Sequence, residues 1–280
     1  MPNPITFSTL ACPEWPIETV IAKAAEFGYN GLEWRGGAQG HVQPSMPSSH
    51  KAALRRLSAD AGLFALAVTA YTSFVSEDPN ERQANVDELR RYADLAAELG
   101  ARYVRAFVGE LPPSVDPARM HGRIAECLQA AAEHARRLDV MIALEPHDHF
   151  VRSAAVEPIL QRATHPALGV IWDIGNTYSA GEDPVEGFAV LSQRLCYVQV
   201  KDGQGRGADW RLTPLGGGEV PLKRAFEMLL ASGYAGAFSV EWERAWHPEL
   251  DPPEAALPAA LRVVQRLLAE AQPMHGGTSA

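Results

Sequence analysis

The stretch VMIALEPHD, residues 140–148, sets how this chain is read. An apolar, partly β-branched run stops abruptly at a carboxylate, Glu145, and Pro146, His147 and Asp148 follow at once. A buried strand that ends in a charged cluster is the form an active-site rim takes in a parallel α/β barrel, where all strands open their C-terminal ends onto one face. Three later runs stop in the same way. GVIWD ends at Asp173, CYVQVKD carries Gln199, Lys201 and Asp202, and AFSVEWE carries Glu241 and Glu243.

On either side of that stretch, short apolar runs alternate with amphipathic segments, which predicts βα units and a parallel sheet. Strands are expected at 5–10, 31–35, 63–70, 101–109, around 140–145, and at 169–173, 196–201 and 237–243. Helices are expected after Pro16 up to Gly28, at 48–61, 80–99, 117–138 and 156–163, from Pro184 with Asp183 as cap, from Pro221, and at 253–271. In the third helix Val86, Leu89, Ala93 and Ala96 or Ala97 recur at helical spacing. Eight units in 280 residues average about 35 each, close to the roughly 30 of a (β/α)8 TIM barrel. A doubly wound open sheet is the alternative, but FSTLACPEW after the first strand lacks its glycine-rich phosphate loop. No low-complexity linker divides the chain, so the expectation is one barrel domain over 1–272 and a flexible tail over 273–280.

Apolar residues make up 46% of the chain, enough for a large core, and 21% charged residues argue against disorder. The formal net charge of −9 repels phosphate backbones and anionic membranes, which makes nucleic acid a poor partner. No stretch approaches the roughly 18 apolar residues of a membrane span. Cys12, Cys127 and Cys196 are odd in number and far apart, so a disulfide framework is not expected and a reduced cytoplasm fits. MPNPITFSTL has no basic start and no long apolar run, and is read as mature sequence.

Glu145, Asp173, Gln199 and Glu241 sit at the ends of four consecutive expected strands. Should they point inward together, three carboxylates meet in a low-dielectric pocket, where repulsion forces a proton onto at least one of them unless a cation is present. Three carboxylates and an amide carbonyl form an all-oxygen donor set that suits Mg2+ or Mn2+ better than Zn2+. The bland alternative is that strand ends are simply polar; four in succession weigh against it. Side chains alternate along a strand, so Gln199 and Lys201 share a face, as do Glu241 and Glu243.

With these residues in view the chain resembles the xylose-isomerase-like TIM barrels, the sugar phosphate isomerases/epimerases. That group includes tagatose/allulose-type 3-epimerases, inosose dehydratases and 3-dehydroshikimate dehydratases. The resemblance spans nearly the whole chain and is carried by GYNGLEWR, ALEPHD, WDIGNTYSAGEDP, YVQVKD and PLGGGEVPLKRAFEMLLASGYAGAFSVEWERAWHPEL. It implies one divalent metal held by Glu145, Asp173, Gln199 and Glu241. It also implies proton exchange by Glu145 and Glu241 through an enediolate stabilised by that metal, on a small sugar or polyhydroxy carbonyl compound. A dehydratase would use the same enolate and expel a β-hydroxyl. Two positions depart from the usual pattern: His-x-Lys-Asp reads Gln199-Val200-Lys201-Asp202, and Asp-x-x-His reads Asp173-Ile174-Gly175-Asn176. Some dehydroshikimate dehydratases are similar in using Gln at the first of these positions. Relatives of this kind are commonly dimers or tetramers, so a homo-oligomer is expected.

Further residues at the same rim have two readings each. Arg105 interrupts an apolar strand and is either a substrate contact or half of a structural pair, with Glu33 as one partner. His147 is a substrate ligand or proton shuttle, or a rim histidine bonded to backbone. Lys201 binds an anionic substrate group or pairs with a metal-ligand carboxylate. Asn176 is a candidate substrate contact. Glu33 and Arg35 line the opposite wall or pair with each other. The six tryptophans, Trp15 and Trp210 included, read as core or interface before sugar platforms. Gly216-Gly217-Gly218-Glu219 lacks the Lys-Ser/Thr continuation of a phosphate loop and reads as a mobile loop.

Three rival readings remain. A DNA-repair endonuclease barrel needs several histidines at strand ends and a basic face, whereas of nine histidines only His147 and His149 lie just past an expected strand. A non-catalytic sugar-binding barrel fits the two missing imidazoles. A Schiff-base aldolase on Lys201 fits less well than a metal site, given the clustered carboxylates.

Overall fold

The structure is a computed structural model that describes residues 3–111 and 115–271, so the tail expected at 273–280 lies outside the described residues. The strands are β1 (Ile5–Ser8), β2 (Gly31–Arg35), β3 (Phe64–Thr69), β4 (Tyr103–Ala106), β5 (Met141–Leu144), β6 (Leu168–Asp173), β7 (Leu195–Val200), the hairpin strands β8 (Asp202–Gln204) and β9 (Arg211–Thr213), and β10 (Phe238–Val240). The helices are α1 (Ile17–Phe27), α2 (Ser48–Asp60), α3 (Pro79–Leu99), α4 (His121–Arg136), α5 (Ser153–Arg162), α6 (Ile174–Ser179), α7 (Pro184–Leu191), α8 (Leu222–Ala231) and α9 (Pro253–Ala271). Strands β1 to β7 and β10 close a parallel barrel in the order β1-β10-β7-β6-β5-β4-β3-β2. This is the (β/α)8 TIM barrel expected from the alternation.

Helix ends follow local chemistry. Gly28 and Gly100 end α1 and α3 with φ of 93° and 73°, a left-handed turn that costs glycine little. Asp183 caps α7 by accepting from the Val185 amide at 2.8 Å, as its sequence context predicts.

Several elements differ from the expected ones, for identifiable reasons. The first strand stops at Ser8, whose hydroxyl accepts from the Leu10 amide and starts a 3-10 turn over Thr9–Ala11. The fourth helix begins with a separate 3-10 turn, Pro117–Arg119, capped by Asp116. The fifth starts at Ser153, ahead of Pro158, because Glu182 accepts from the Ser153 amide at 2.9 Å and its hydroxyl at 2.6 Å. That cap lies far along the chain. The short helix α6 and the β8–β9 hairpin have no counterpart among the expected elements. The last barrel strand ends at Val240, and the Glu241 amide continues the ladder by donating to Val200 O at 3.0 Å.

Most apolar burial lies between the strands and the surrounding helices. The barrel interior proper holds a small cluster of Leu66, Ala67, Ala143, Ile171, Cys196, Tyr197 and Ala237. Alanines at three of these positions leave room, and the space toward the strand C-termini is filled by polar side chains instead. Among the described residues no helix is long and apolar enough to cross a membrane.

Candidate active site

The inward-facing positions beyond Tyr197 on β7 are Gln199 and then Lys201, and those of the neighbouring strand end are Ser239 and Glu241. The strand register sets Gln199 beside Asp173 on one side and Ser239 on the other. Glu145 follows β5, its amide donating to Ala106 O at 3.0 Å. Parallel pairing thus delivers all four side chains to one end of the barrel.

One oxygen each from Glu145, Asp173 and Glu241 lie within 4.8 Å of one another, and all three residues are buried. The cluster is compensated from two sides. Arg105 Nη1 lies 2.9 Å from Glu145 Oε2 and 3.4 Å from Glu241 Oε1. Lys201 Nζ lies 2.9 Å from Asp173 Oδ2 and 2.6 Å from Glu241 Oε2, and also contacts Glu243 Oε1. Both cations are themselves buried. Arg105 therefore pairs with the two glutamates and not with Glu33, and Lys201 takes the ion-paired reading left open by its sequence position.

Asp173 divides its two oxygens. Oδ1 caps α6 by accepting from the Asn176 amide at 2.9 Å, while Oδ2 faces Lys201. Asn176 in turn donates from Nδ2 to Glu145 Oε1 at 3.2 Å. Gln199 Nε2 donates to Glu241 Oε1 at 3.1 Å and Glu33 Oε1 at 3.0 Å, and its Oε1 is buried without a hydrogen-bond partner.

Glu33 is not on the opposite wall where its sequence position placed it. It lies in the floor beneath the cluster, fully buried, and accepts from Tyr197 Oη at 2.9 Å, Gln199 Nε2 at 3.0 Å and Ser239 Oγ at 2.8 Å. Glu33 is the middle residue of β2 and pairs with Ser8 of β1, two residues below the strand's end at Arg35. Arg35 does not pair with Glu33 either; its guanidinium stacks on Trp246 at 4.6 Å and donates to Gln39 O.

His147 stands at the rim. Its ring lies 4.5 Å from that of Phe107, and Nδ1 pairs with Asp148 at 2.9 Å instead of with the carboxylate cluster. Asp148 holds this pair from a left-handed backbone, φ 52°.

The electrostatics separate the acids. Burial raises the Glu145 carboxyl, against the opposing pull of Arg105. Burial likewise puts Asp173 well above the usual range, opposed by Lys201. Glu241 is buried too, but Lys201 and Arg105 outweigh burial and hold it at about 2. Burial lifts Glu33 to about 7, with Arg105 opposing. For Lys201, burial disfavours the charge, yet Asp173, Glu241 and Glu243 together push its ammonium well above its ordinary value.

The donor set fits a hard divalent cation: three buried carboxylates, plus an amide oxygen with no other partner. Carboxylates alone would repel at these separations, and the two protein cations relieve that only in part.

Several contributors were not visible in the sequence. Tyr71 and Phe107 flank the Arg105 guanidinium at 5.4 Å and 4.3 Å, and Trp246 meets Tyr71 edge-on at 6.4 Å. Tyr71 is 39% and Trp246 51% exposed, so an aromatic arc borders the mouth above the carboxylates. Trp15 is buried, while Trp210 packs against Tyr178. The glycine run after β9 is not an open anion seat. Asp202 already accepts from the Gly203, Gly216, Gly218 and Val220 amides at 2.9–3.2 Å, and a side chain at Gly218 would collide with Asp202 Oδ1.

The chain is similar to several known proteins. The fructoselysine 3-epimerase of Escherichia coli O157:H7 is 26% identical over 242 residues, covering 81% of this chain and 85% of that protein. The 3-dehydroshikimate dehydratase of Pseudomonas putida is 26% identical over 198 residues, covering 67% of this chain and 31% of that longer protein. A crystal structure of the IOLI protein with a zinc atom superposes with a TM-score of 0.82 at 16% identity, over 97% of this chain and 100% of that one, which speaks to the fold alone. The family model described as the xylose isomerase-like TIM barrel matches residues 21–267, and the chain belongs to that family.

Proposed function

We propose that the protein is a divalent-metal-dependent isomerase or epimerase of a small sugar or polyhydroxy carbonyl compound. The observation that carries the reading is the convergence of Glu145, Asp173 and Glu241, from three different strand ends, within 4.8 Å in a buried site. Glu145, Asp173, Gln199 Oε1 and Glu241 would hold the ion, with Mn2+ or Mg2+ favoured by the all-oxygen set. When bound, such an ion polarises a carbonyl and its neighbouring hydroxyl and stabilises the negative charge that develops on oxygen.

The chain's own groups supply the proton chemistry. Glu241 is held ionised and is the acceptor for the proton on the carbon beside the carbonyl. Glu145, whose carboxyl burial raises against the pull of Arg105, is the group that returns a proton to that carbon. Asn176 orients Glu145 through its 3.2 Å hydrogen bond, and Arg105 orients both glutamates. Tyr71, Phe107 and Trp246 offer apolar surface at the mouth, with few polar groups, as small-molecule sites commonly do. His147, paired with Asp148 at that edge, is in place to meet a substrate hydroxyl.

A dehydratase is the second reading, supported by the likeness to a 3-dehydroshikimate dehydratase. The same proton abstraction would then be followed by loss of a β-hydroxyl. A panel of ketoses and keto-cyclitols, assayed with Mn2+ by product NMR and by ultraviolet absorbance, separates the two. A new sugar epimer or isomer supports the first reading, and a new enone band the second. Unchanged substrates throughout, with Mn2+ and with Mg2+, would refute both.

A further inference from the structure

We propose that Lys201 is a resident counter-ion of the metal seat, and that Glu243 is the positioning residue that holds its ammonium aside when a divalent ion binds. The inference rests on the metal-dependent reading above and concerns how this chain sets its affinity for that ion.

Three observations lead to it. First, Lys201 Nζ has three carboxylate partners, and only two of them, Asp173 and Glu241, belong to the candidate metal ligands. The third, Glu243, lies two residues beyond Glu241, with its side chain 20% exposed against 0% and 3% for the other two. Glu243 is the partner that Lys201 can keep when the others turn to a metal. Second, the position is built. A Cβ on Gly175 would lie 2.2 Å from Lys201 Cγ and 3.1 Å from its Cδ, so the glycine makes room for the lysine stem to reach the cluster. Third, the charges count to a divalent ion. With every group ionised, as metal ligation requires of the carboxylates, Glu145, Asp173, Glu241 and Glu243 carry four negative charges against two positive ones on Arg105 and Lys201, and the remainder is two negative charges. Glu33, tied up by three donors in the floor, stands outside this count.

Without Glu243, the ammonium would have only the metal's own ligands as partners, and it would compete with the ion for them. Without Lys201, the seat would be more negative by one charge and less well compensated when empty. The two changes therefore act in opposite directions on metal affinity, and Glu243 acts through Lys201.

The test is Mn2+ binding to the chelator-stripped, full-length protein, measured by calorimetry and by the electron paramagnetic resonance of free Mn2+, with no substrate present. Glu243→Gln is expected to weaken binding about tenfold, and Lys201→Met to tighten it about tenfold while lowering the metal-free melting temperature. The decisive variant is Lys201→Met/Glu243→Gln, which should bind like Lys201→Met alone. If Glu243→Gln weakens binding equally with and without Lys201, Glu243 acts directly on the ion and the proposal is overturned. Weaker binding by Lys201→Met overturns it as well. Lys201→Gln, which keeps a donor for the buried carboxylates, serves if the methionine variant does not fold without metal. Wild-type protein that binds no Mn2+ or Mg2+ would instead remove the metal-dependent reading itself.

Discussion

Replacing Arg105 with methionine tests the electrostatic balance of the site. The guanidinium is 5% exposed and lies 2.9 Å from Glu145 and 3.4 Å from Glu241, with Phe107 and Tyr71 against its faces at 4.3 Å and 5.4 Å. Removing one partner of a buried ion pair costs about 3–5 kcal/mol, because the surviving charge is left desolvated. Two aromatic contacts add about 0.5–2 kcal/mol, part of which methionine recovers by packing. A net loss of about 4 kcal/mol lowers Tm by about 8–12 °C in a chain of this size. Scanning calorimetry in chelator at pH 7.5 measures it. Two further outcomes follow from the same charges. Lower pH should narrow the gap, since Glu145 and Glu241 can then bind protons in the folded variant. Their folded pKa values rise above the unfolded ones in Arg105→Met, so its stability falls as pH rises. Added Mn2+ should narrow the gap too, by restoring positive charge at the cluster. A variant within about 1 kcal/mol of wild type in chelator, or a gap that Mn2+ leaves unchanged, would mean that the guanidinium is not the charge compensating these carboxylates.

Glu145→Gln and Glu241→Gln should each lower turnover by about 10²–10⁴ at saturating metal, as read by product NMR, because on the proposed function each removes one partner of the proton exchange. The Glu33 carboxyl, raised from 4.5 to about 7, binds more protons folded than unfolded, so its contribution to metal-free stability should fall by about 3 kcal/mol between those two pH values. Urea titrations at pH 4.5 and 7.5 check this, and Glu33→Gln should shrink the difference by about that amount, leaving the share that Glu145 and Asp173 contribute with the same sign. Asp202→Ala frees four backbone amides and should cost about 2–4 kcal/mol, with faster hydrogen exchange at Gly216, Gly218 and Val220 as its local signature.

The barrel was legible because period and punctuation are local properties. Apolar runs of strand length, helix stops such as Gly28 and Gly100, and the Asp183 cap can each be read within a few residues. The rim was legible for a related reason: a carboxylate or amide ending an apolar run, as in ALEP or WDIG, breaks the pattern where the strand leaves the core. Depth within the barrel was not legible. Glu33 sits in the floor, met by Tyr197, Gln199 and Ser239 from β7 and β10, and how strands stagger against one another belongs to pairs of strands. Arg105 could be recognised as needing an anion, but which anion depends on β4, β5 and β10 together. The start of α5 depends on Glu182, and the aromatic arc on loops after three different strands. In each case the determinant is a contact across the fold.

What separates a catalytic carboxylate cluster from a structural one is exchange of a carbon-bound proton, here on a polyhydroxy carbonyl compound with a divalent ion bound. Proton NMR in D2O over a ketose and keto-cyclitol panel, with Mn2+ and with EDTA, reads that exchange whether or not the product differs from the substrate. Deuterium should enter at the carbon next to the carbonyl with Mn2+, and its entry should be lost with EDTA and lost in Glu241→Gln. Exchange that persists in EDTA, or in Glu241→Gln at wild-type rate, would show that neither the ion nor this carboxylate moves the proton.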